Sequence, residues 1–192
     1  KIKKILLKEK PLVSICLPVY NKSTYLNKTL KSLSNQTYKK LDIIISDDHS
    51  DDKSVLKVIN YWLENDNRIK FYQQEQNIGA VNNYIFTINK AIGKYILLAS
   101  DDDLWNKEYI QAGVDLLENN SNYDVWNSSC IHIDALGQVF NELPSFNRFT
   151  STNNSFKSIC KYTFEPENLG KANIFHSIYK RDVLNDLKKE YF

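Results

Sequence analysis

Glycine is scarce in this chain of 192 residues. Its five glycines, Gly79, Gly93, Gly113, Gly137 and Gly170, form neither a G-x-G-x-x-G turn nor a P-loop. A glycine-lined backbone cradle is therefore excluded, and any phosphate ligand must be held by another device. Cysteine is scarce as well. Cys16, Cys130 and Cys160 are odd in number, far apart and never in a C-x-x-C pair, which argues against a disulfide framework or a zinc site and fits core thiols in a reducing cytoplasm. No apolar run approaches the roughly 20 residues that cross a bilayer, and the Lys1 to Leu7 start is too short for a signal peptide. The expectation is a soluble, cytoplasmic protein whose basic arm, residues 1–10, touches the inner face of a membrane or frays. A charge excess of one sign is missing too: 25 Lys and Arg face 23 Asp and Glu, interspersed, so nucleic acid is not an expected partner. Methionine is absent even at the first position, which fits a piece of a longer protein.

What is present is an acidic triplet. Asp101, Asp102 and Asp103 follow the apolar run Tyr95-Ile96-Leu97-Leu98-Ala99 and Ser100. Three carboxylates at the mouth of a buried strand repel one another and lose hydration, so folding alone rarely selects them. A divalent cation removes the penalty, and oxygen-only ligation suits Mg²⁺ or Mn²⁺ shared with substrate phosphates. The alternative is that Asp103 caps the next helix and its neighbours are solvated loop charges.

Along the chain, short apolar runs alternate with helical periodicity, the pattern of an α/β fold with a mostly parallel central sheet flanked by helices. Leu12 to Leu17 reads as the first strand, and Leu26, Leu30 and Leu33 mark a helix face. Leu41 to Ile45 reads as a second strand buried on both faces, running into Ser46-Asp47-Asp48-His49-Ser50-Asp51-Asp52. Val55, Val58, Ile59 and Trp62 mark a second helix, Ile69 to Tyr72 a short strand, Val81, Tyr84, Ile85 and Ile88 a third helix, and Tyr95 to Ala99 a further strand. Two acidic clusters thus fall at the C-terminal ends of parallel strands, where open α/β sheets bind ligands. Asp48, directly after its strand, is the ligand candidate of the first cluster; a residue nearer Ser54 serves better as helix cap. A carboxylate for an imide N–H or ribose hydroxyl at one cluster and a metal-bound diphosphate at the other describe a nucleoside diphosphate.

Beyond the triplet, Ile110, Gly113, Val114 and Leu117 form a helix face. Asp124 to Ser129 with Gln138 to Phe140 read as strands around the Leu136-Gly137 turn, Ala172 to Tyr179 as a strand and Asp182 to Leu187 as a helix. The expected division is residues 11–106 as a nucleotide-binding half and 107–192 as an acceptor-side half.

Five ordered segments resemble the inverting family 2 glycosyltransferases of GT-A fold. They are Val13-Ser14-Ile15-Cys16-Leu17-Pro18-Val19-Tyr20-Asn21, Leu33-Ser34-Asn35-Gln36-Thr37-Tyr38, Ile45-Ser46-Asp47-Asp48-His49-Ser50-Asp51-Asp52, Asn77-Ile78-Gly79 and Ala99-Ser100-Asp101-Asp102-Asp103-Leu104-Trp105. The resemblance implies transfer of a sugar from a nucleoside diphosphate donor, with UDP the expected nucleotide, to a glycan or lipid-linked sugar acceptor. It places Pro18, Val19, Tyr20, Asn21, Asp48, Asn83 and Asp101 at the nucleotide, and Asp102 and Asp103, with Asp101, at a Mn²⁺ or Mg²⁺ ion. Where many relatives carry D-x-D-D, this chain has Ser100-Asp101-Asp102-Asp103, so Asp103 either shares the metal or caps a helix.

Such transfer needs a general base, which the family supplies well downstream of the triplet, so it is expected beyond Phe192 in a chain truncated before that segment. Inside the chain the weaker candidates are Glu165, Glu167 and His176; solvated loop glutamates and a structural histidine are the plainer readings. Two rivals remain: a non-catalytic nucleotide-sugar-binding module, and a sugar-1-phosphate nucleotidyltransferase, which should open with a Gly- and Arg-rich loop unlike Pro18-Val19-Tyr20-Asn21.

Overall fold

The computed structural model describes residues 9–143 and 175–191. Its elements run β1 (Val13–Val19), α1 (Ser23–Ser34), β2 (Leu41–Asp47), α2 (Lys53–Asn65), β3 (Ile69–Gln73), α3 (Ala80–Lys90), β4 (Tyr95–Leu98), α4 (Tyr109–Asn119), β5 (Val125–Trp126), β6 (Cys130–Ile133), β7 (Val139–Leu143), β8 (Ile178–Lys180) and α5 (Arg181–Tyr191). The main sheet has the order β3-β2-β1-β4-β8-β5. Strands β1 to β4 are parallel, and β8 pairs antiparallel with both β4 and β5.

Strand alternation assigns the two faces. Val13, Ile15, Leu17 and Val19 of β1, with Ile43, Ile45, Tyr95 and Leu97, pack under Leu26, Leu30 and Leu33 of α1, Val55 and Ile59 of α2, and Ile110, Val114 and Leu117 of α4. Cys16, Ile44, Ile96 and Leu98 point the other way, toward Tyr84 and Ile88 of α3 and Leu184 of α5. Every residue of β2 is buried, as its isoleucine run implied. Burial also pushes the Cys16 thiol up to about 12, so it is inert core. Helices thus cover both faces of a mostly parallel sheet.

Several expectations need correction. Pro18 and Val19 lie in β1 rather than in a loop. Proline is tolerated there because β1 pairs with β4 only as far as Cys16, so the missing N–H falls past the end of that ladder. Asp103 caps no helix: Asn106 organises a turn by accepting from the Glu108 N–H (2.9 Å), and α4 begins only at Tyr109. Residues 124–129 do not pair with 138–140. Val125 and Trp126 join the main sheet, and β7 instead pairs with β6, with an irregularity between His132 and Ile133. From 175 onward only Ile178–Lys180 is strand. Glu165, Glu167, Cys160 and the arm through Lys8 lie outside the described residues. Among those described, no helix is long and apolar enough to cross a membrane.

Candidate functional site

In this strand order the chain steps outward from β1 through β2 to β3, then returns to place β4 on the other side of β1. The reversal lies between β1 and β4, the position at which open α/β sheets form a binding crevice. The loops leaving these two strands carry Tyr20-Asn21-Lys22 and Asp101-Asp102-Asp103.

The peptide joining Val19 to Tyr20 is gripped from both sides. The Val19 carbonyl accepts from the Asp48 N–H (2.9 Å), and the Tyr20 N–H donates to Asp101 Oδ2 (3.3 Å). The side chain of Val19 is buried in the core, so only its backbone faces the crevice, whereas Tyr20 is 43% exposed. Asn21 adopts a left-handed φ of 54°, uncommon outside glycine. Its Oδ1 accepts from the N–H groups of Asp51 (2.9 Å) and Asp52 (3.1 Å), and its own N–H donates to Ser50 Oγ (3.0 Å). Asn21 therefore ties the loop after β1 to the loop after β2.

Asp48 is 2% exposed, and its carboxylate holds the next loop: Oδ1 accepts from the Ile78 N–H (2.7 Å) and Oδ2 from the Gly79 N–H (3.0 Å). Gly79, at φ 85°, provides the conformation that the Asn77-Ile78-Gly79 turn requires. Helix α2 is capped by Asp52, whose side chain accepts from the Ser54 N–H, so Asp48 is spared that task. Asn83, 1% exposed, donates from Nδ2 to the Ser46 carbonyl (2.9 Å), while its Oδ1 has no partner among the described residues.

The triplet is held differently. Its backbone is anchored by α1, where the Thr29 hydroxyl donates to the Asp101 carbonyl (3.2 Å) and the Ser32 hydroxyl accepts from the Trp105 N–H (3.1 Å). Buried Gln36 adds two bonds, donating to the Asn106 carbonyl (2.8 Å) and accepting from the Ile110 N–H (3.1 Å). The carboxylates share one cation. Lys22 Nζ lies 2.5 Å from Asp102 Oδ2 and 3.9 Å from Asp101 Oδ1, and the Ser100 hydroxyl donates to Asp102 Oδ1 (2.6 Å). Asp101 is only 7% exposed, and burial pushes its carboxyl up to about 6 against the Tyr20 N–H and Lys22. Burial also raises Asp102, but the hydrogen bonds from Lys22 and Ser100 outweigh it and hold that carboxyl below the usual range. Asp103 points elsewhere. Its Oδ2 lies 4.0 Å from His176 Nε2, and desolvation by the surrounding protein raises its carboxyl despite the nearby His176. His176 is fixed by Nδ1 facing the Leu98 carbonyl (3.3 Å) and by its own carbonyl accepting from the Tyr109 hydroxyl (2.9 Å).

The crevice thus gathers Pro18, Tyr20, Asp48, Asn83 and the triplet at one sheet edge. Two carboxylates already on one cation are the hard oxygen donors that Mn²⁺ or Mg²⁺ takes when substrate phosphates complete its shell. Among the described residues, no group of three or more His, Cys, Asp or Glu side chains is arranged to hold a metal ion. Lys22 was missed from sequence. Its signal was a lysine just before a helix, where Ser, Thr, Asn or Asp is preferred.

Residues 14–160 match the family described as glycosyl transferase family 2. The chain is 32% identical over 158 residues to an uncharacterized glycosyltransferase of Methanocaldococcus jannaschii, covering 82% of this chain and 52% of that protein. It is 32% identical over 127 residues to the UDP-Glc:alpha-D-GlcNAc-diphosphoundecaprenol beta-1,3-glucosyltransferase WfgD of Escherichia coli, covering 62% of this chain and 49% of that one. Among solved structures, TarS 1-349 of S. aureus in complex with UDP superposes with a TM-score of 0.68 at 22% identity, over 92% of this chain and 49% of that one. The mannosyltransferase PcManGT of Pyrobaculum calidifontis, in complex with GDP-Man and Mn²⁺, gives 0.64 at 15% identity, over 94% and 47%. At these identities the structural likenesses establish the fold alone. The chain spans about half the length of the M. jannaschii and E. coli relatives.

Proposed function

The chain belongs to glycosyl transferase family 2 and has the GT-A fold, and from that premise we propose that it carries the donor site of an enzyme that moves a sugar from a UDP-sugar to an acceptor hydroxyl with inversion. The observation that carries this reading is the crevice between β1 and β4, where the Tyr20 N–H and the Lys22 ammonium converge on Asp101 and Asp102. Asp101 and Asp102 would hold Mn²⁺ or Mg²⁺, which when bound supplies Lewis-acid stabilisation of the charge that grows on the leaving diphosphate. Tyr20, with its ring half exposed, offers a face to the base or ribose. Asp48 sets the Ile78-Gly79 turn and retains acceptor capacity for an imide N–H, and buried Asn83, held on the Ser46 carbonyl nearby, leaves its Oδ1 without a partner among the described residues. The acceptor named for the E. coli relative is a sugar on a lipid diphosphate carrier, and a lipid-linked saccharide is the acceptor proposed here, reached by a cytoplasmic protein at the inner membrane face.

Calorimetry with UDP on wild type and Asp102→Asn, with Mn²⁺ and with chelator, tests the reading. Wild type should bind UDP only with the metal, and Asp102→Asn should lose more than the ~10–100-fold that replacing an outer partner of a metal ligand costs. Equal UDP affinity in all four conditions would discard it.

A further inference from the structure

Lys22 is the side chain at this site that local rules least explain. It stands immediately before α1, at the N-cap, and makes no capping hydrogen bond there. A lysine cannot accept from the free N–H groups of the first turn, and its positive charge faces the positive end of the helix dipole. Residues that break local rules without local compensation mark function. Compensation here comes from across the crevice, in the hydrogen-bonded ion pair with Asp102, eighty residues away in sequence, and the longer approach to Asp101.

We propose that Lys22 is the resident counter-cation of the donor site, which the divalent ion must displace, so that metal and nucleotide bind as a coupled pair. This inference rests on the reading of Asp101 and Asp102 as metal ligands. A Mg²⁺ ion needs its oxygens about 2.0–2.1 Å away, so an ion on the Asp102 carboxylate occupies the space that the ammonium now fills. Two cations cannot share it, because the like charges repel at contact distance. Release is easy: the Lys22 side chain is 52% exposed and is held by the ion pair rather than by packing. The backbone beneath it is fixed, since Asn21 is pinned to Ser50, Asp51 and Asp52 on one side and α1 starts at Ser23 on the other. A displaced ammonium on that fixed stem remains beside the crevice, where diphosphate oxygens offer it a new partner. A bare metal ion competes with Lys22 and gains nothing in return; a metal ion arriving with a diphosphate does not, because the phosphates take the lysine. The coupling is reciprocal, so UDP should tighten Mn²⁺ by the same factor that Mn²⁺ tightens UDP.

The test is Mn²⁺ binding, read from the electron paramagnetic resonance signal of free Mn²⁺, in wild type, Lys22→Met and Lys22→Arg, each with and without UDP. Lys22→Met should bind bare Mn²⁺ at least about tenfold more tightly than wild type and show a smaller gain on adding UDP, within the roughly 5–150-fold range usual for coupled sites. Lys22→Arg, which keeps the charge, should behave like wild type. Bare Mn²⁺ affinity that agrees within about twofold across all three proteins overturns the displacement. If wild type nevertheless shows metal-dependent UDP binding that Asp102→Asn abolishes, only the role of Lys22 falls. If no variant binds Mn²⁺ with or without UDP, the metal reading falls with it.

Discussion

Two carboxylate clusters sit at one edge of one sheet, and they are built for opposite ends. At the end of β2, Asp47 accepts from the N–H and hydroxyl of Ser50 and from Gln73, and Asp48 accepts from two backbone N–H groups of the α3 approach. Both are essentially buried, and each is answered by donors that belong to the fold. At the end of β4, the backbone of the triplet is equally well anchored, yet only Asp101 has a backbone donor, the Tyr20 N–H, and the carboxylates otherwise rely on a half-exposed lysine, Ser100 and a histidine at 4.0 Å. Neutral dipoles supplied by the backbone cannot leave, whereas a lysine can. The first cluster is therefore held in place by the fold and offers a ligand only the acceptor capacity left on Asp48, and the second keeps more of its charge available.

The most demanding challenge to this contrast is to truncate one acid from each cluster and measure stability. Asp48→Ala leaves the Ile78 and Gly79 N–H groups without their acceptor, and hydrogen bonds to a charged group contribute roughly 1.5–3 kcal/mol each, so a loss on the order of 3 kcal/mol is expected. Asp102→Ala removes a half-exposed ion pair of the kind worth about 0–1 kcal/mol and also relieves repulsion with Asp101, so its stability should stay within about 0.5 kcal/mol of wild type. Urea unfolding of the two variants settles the matter, and comparable losses would erase the distinction between the clusters.

A second variant perturbs the triplet from below. Gly113 of α4 faces Trp126 and Ile178, and a Cβ placed there would sit 2.6 Å from Trp126 Cε3 and 2.7 Å from Ile178 Cδ1. Those residues belong to β5 and β8, the strands that bring His176 to the triplet. Gly113→Ala should therefore destabilise by the roughly 1–3 kcal/mol typical of overpacking, about half the effect of Asp48→Ala. Asp48 contacts neither strand, so a nuclear magnetic resonance spectrum should show shifts around His176 and leave the Ile78 and Gly79 amides in place. Shifts at those amides would mean that the two clusters are mechanically coupled.

The contrast was half legible in the sequence. Strand ends, helix faces and the shared edge of the two clusters follow from local periodicity, as in the isoleucine run of β2 and the leucines of α1, because burial at period two or 3.6 is written in neighbouring residues. The family motifs marked the crevice residues, and the structure brings Pro18, Tyr20, Asp48, Asn83 and the triplet to one edge. What local pattern does not carry is pairing across long separations. Lys22 meets Asp102, Asp48 meets the Ile78-Gly79 turn, and β8 inserts antiparallel beside β4 with Leu97 opposite Ile178, all between residues far apart in the chain. The turn at Asn106, the split between β5 and β6, and the burial of Val19 under α1 are likewise decided by tertiary contacts that a one-dimensional pattern does not record.

The smallest expected effect concerns the charge that the second cluster carries when no metal is supplied. Asp101 is held up to about 6 in the folded protein, against an ordinary value of 3.8, chiefly by burial. A carboxyl whose pKa is raised on folding binds its proton more tightly in the native state than in the unfolded chain. Between those two values the native protein carries more protons, so stability falls as pH rises from about 4 to about 6 and is level on either side. The gap between 3.8 and about 6 sets a ceiling of about 3 kcal/mol, at roughly 1.36 kcal/mol for each pH unit. A loss on the order of 1 kcal/mol, within that ceiling, is expected, seen as a Tm lower by ~2–4 °C for a chain of this size. Thermal unfolding in chelator from about pH 4 to about pH 7 should show wild type losing stability relative to Asp101→Asn, whose side chain does not titrate. Carboxyls lowered on folding, such as Asp102, shift both profiles alike in the other direction. Parallel profiles for the two proteins would mean that Asp101 carries no burial penalty, and that the second cluster is as fully satisfied as the first.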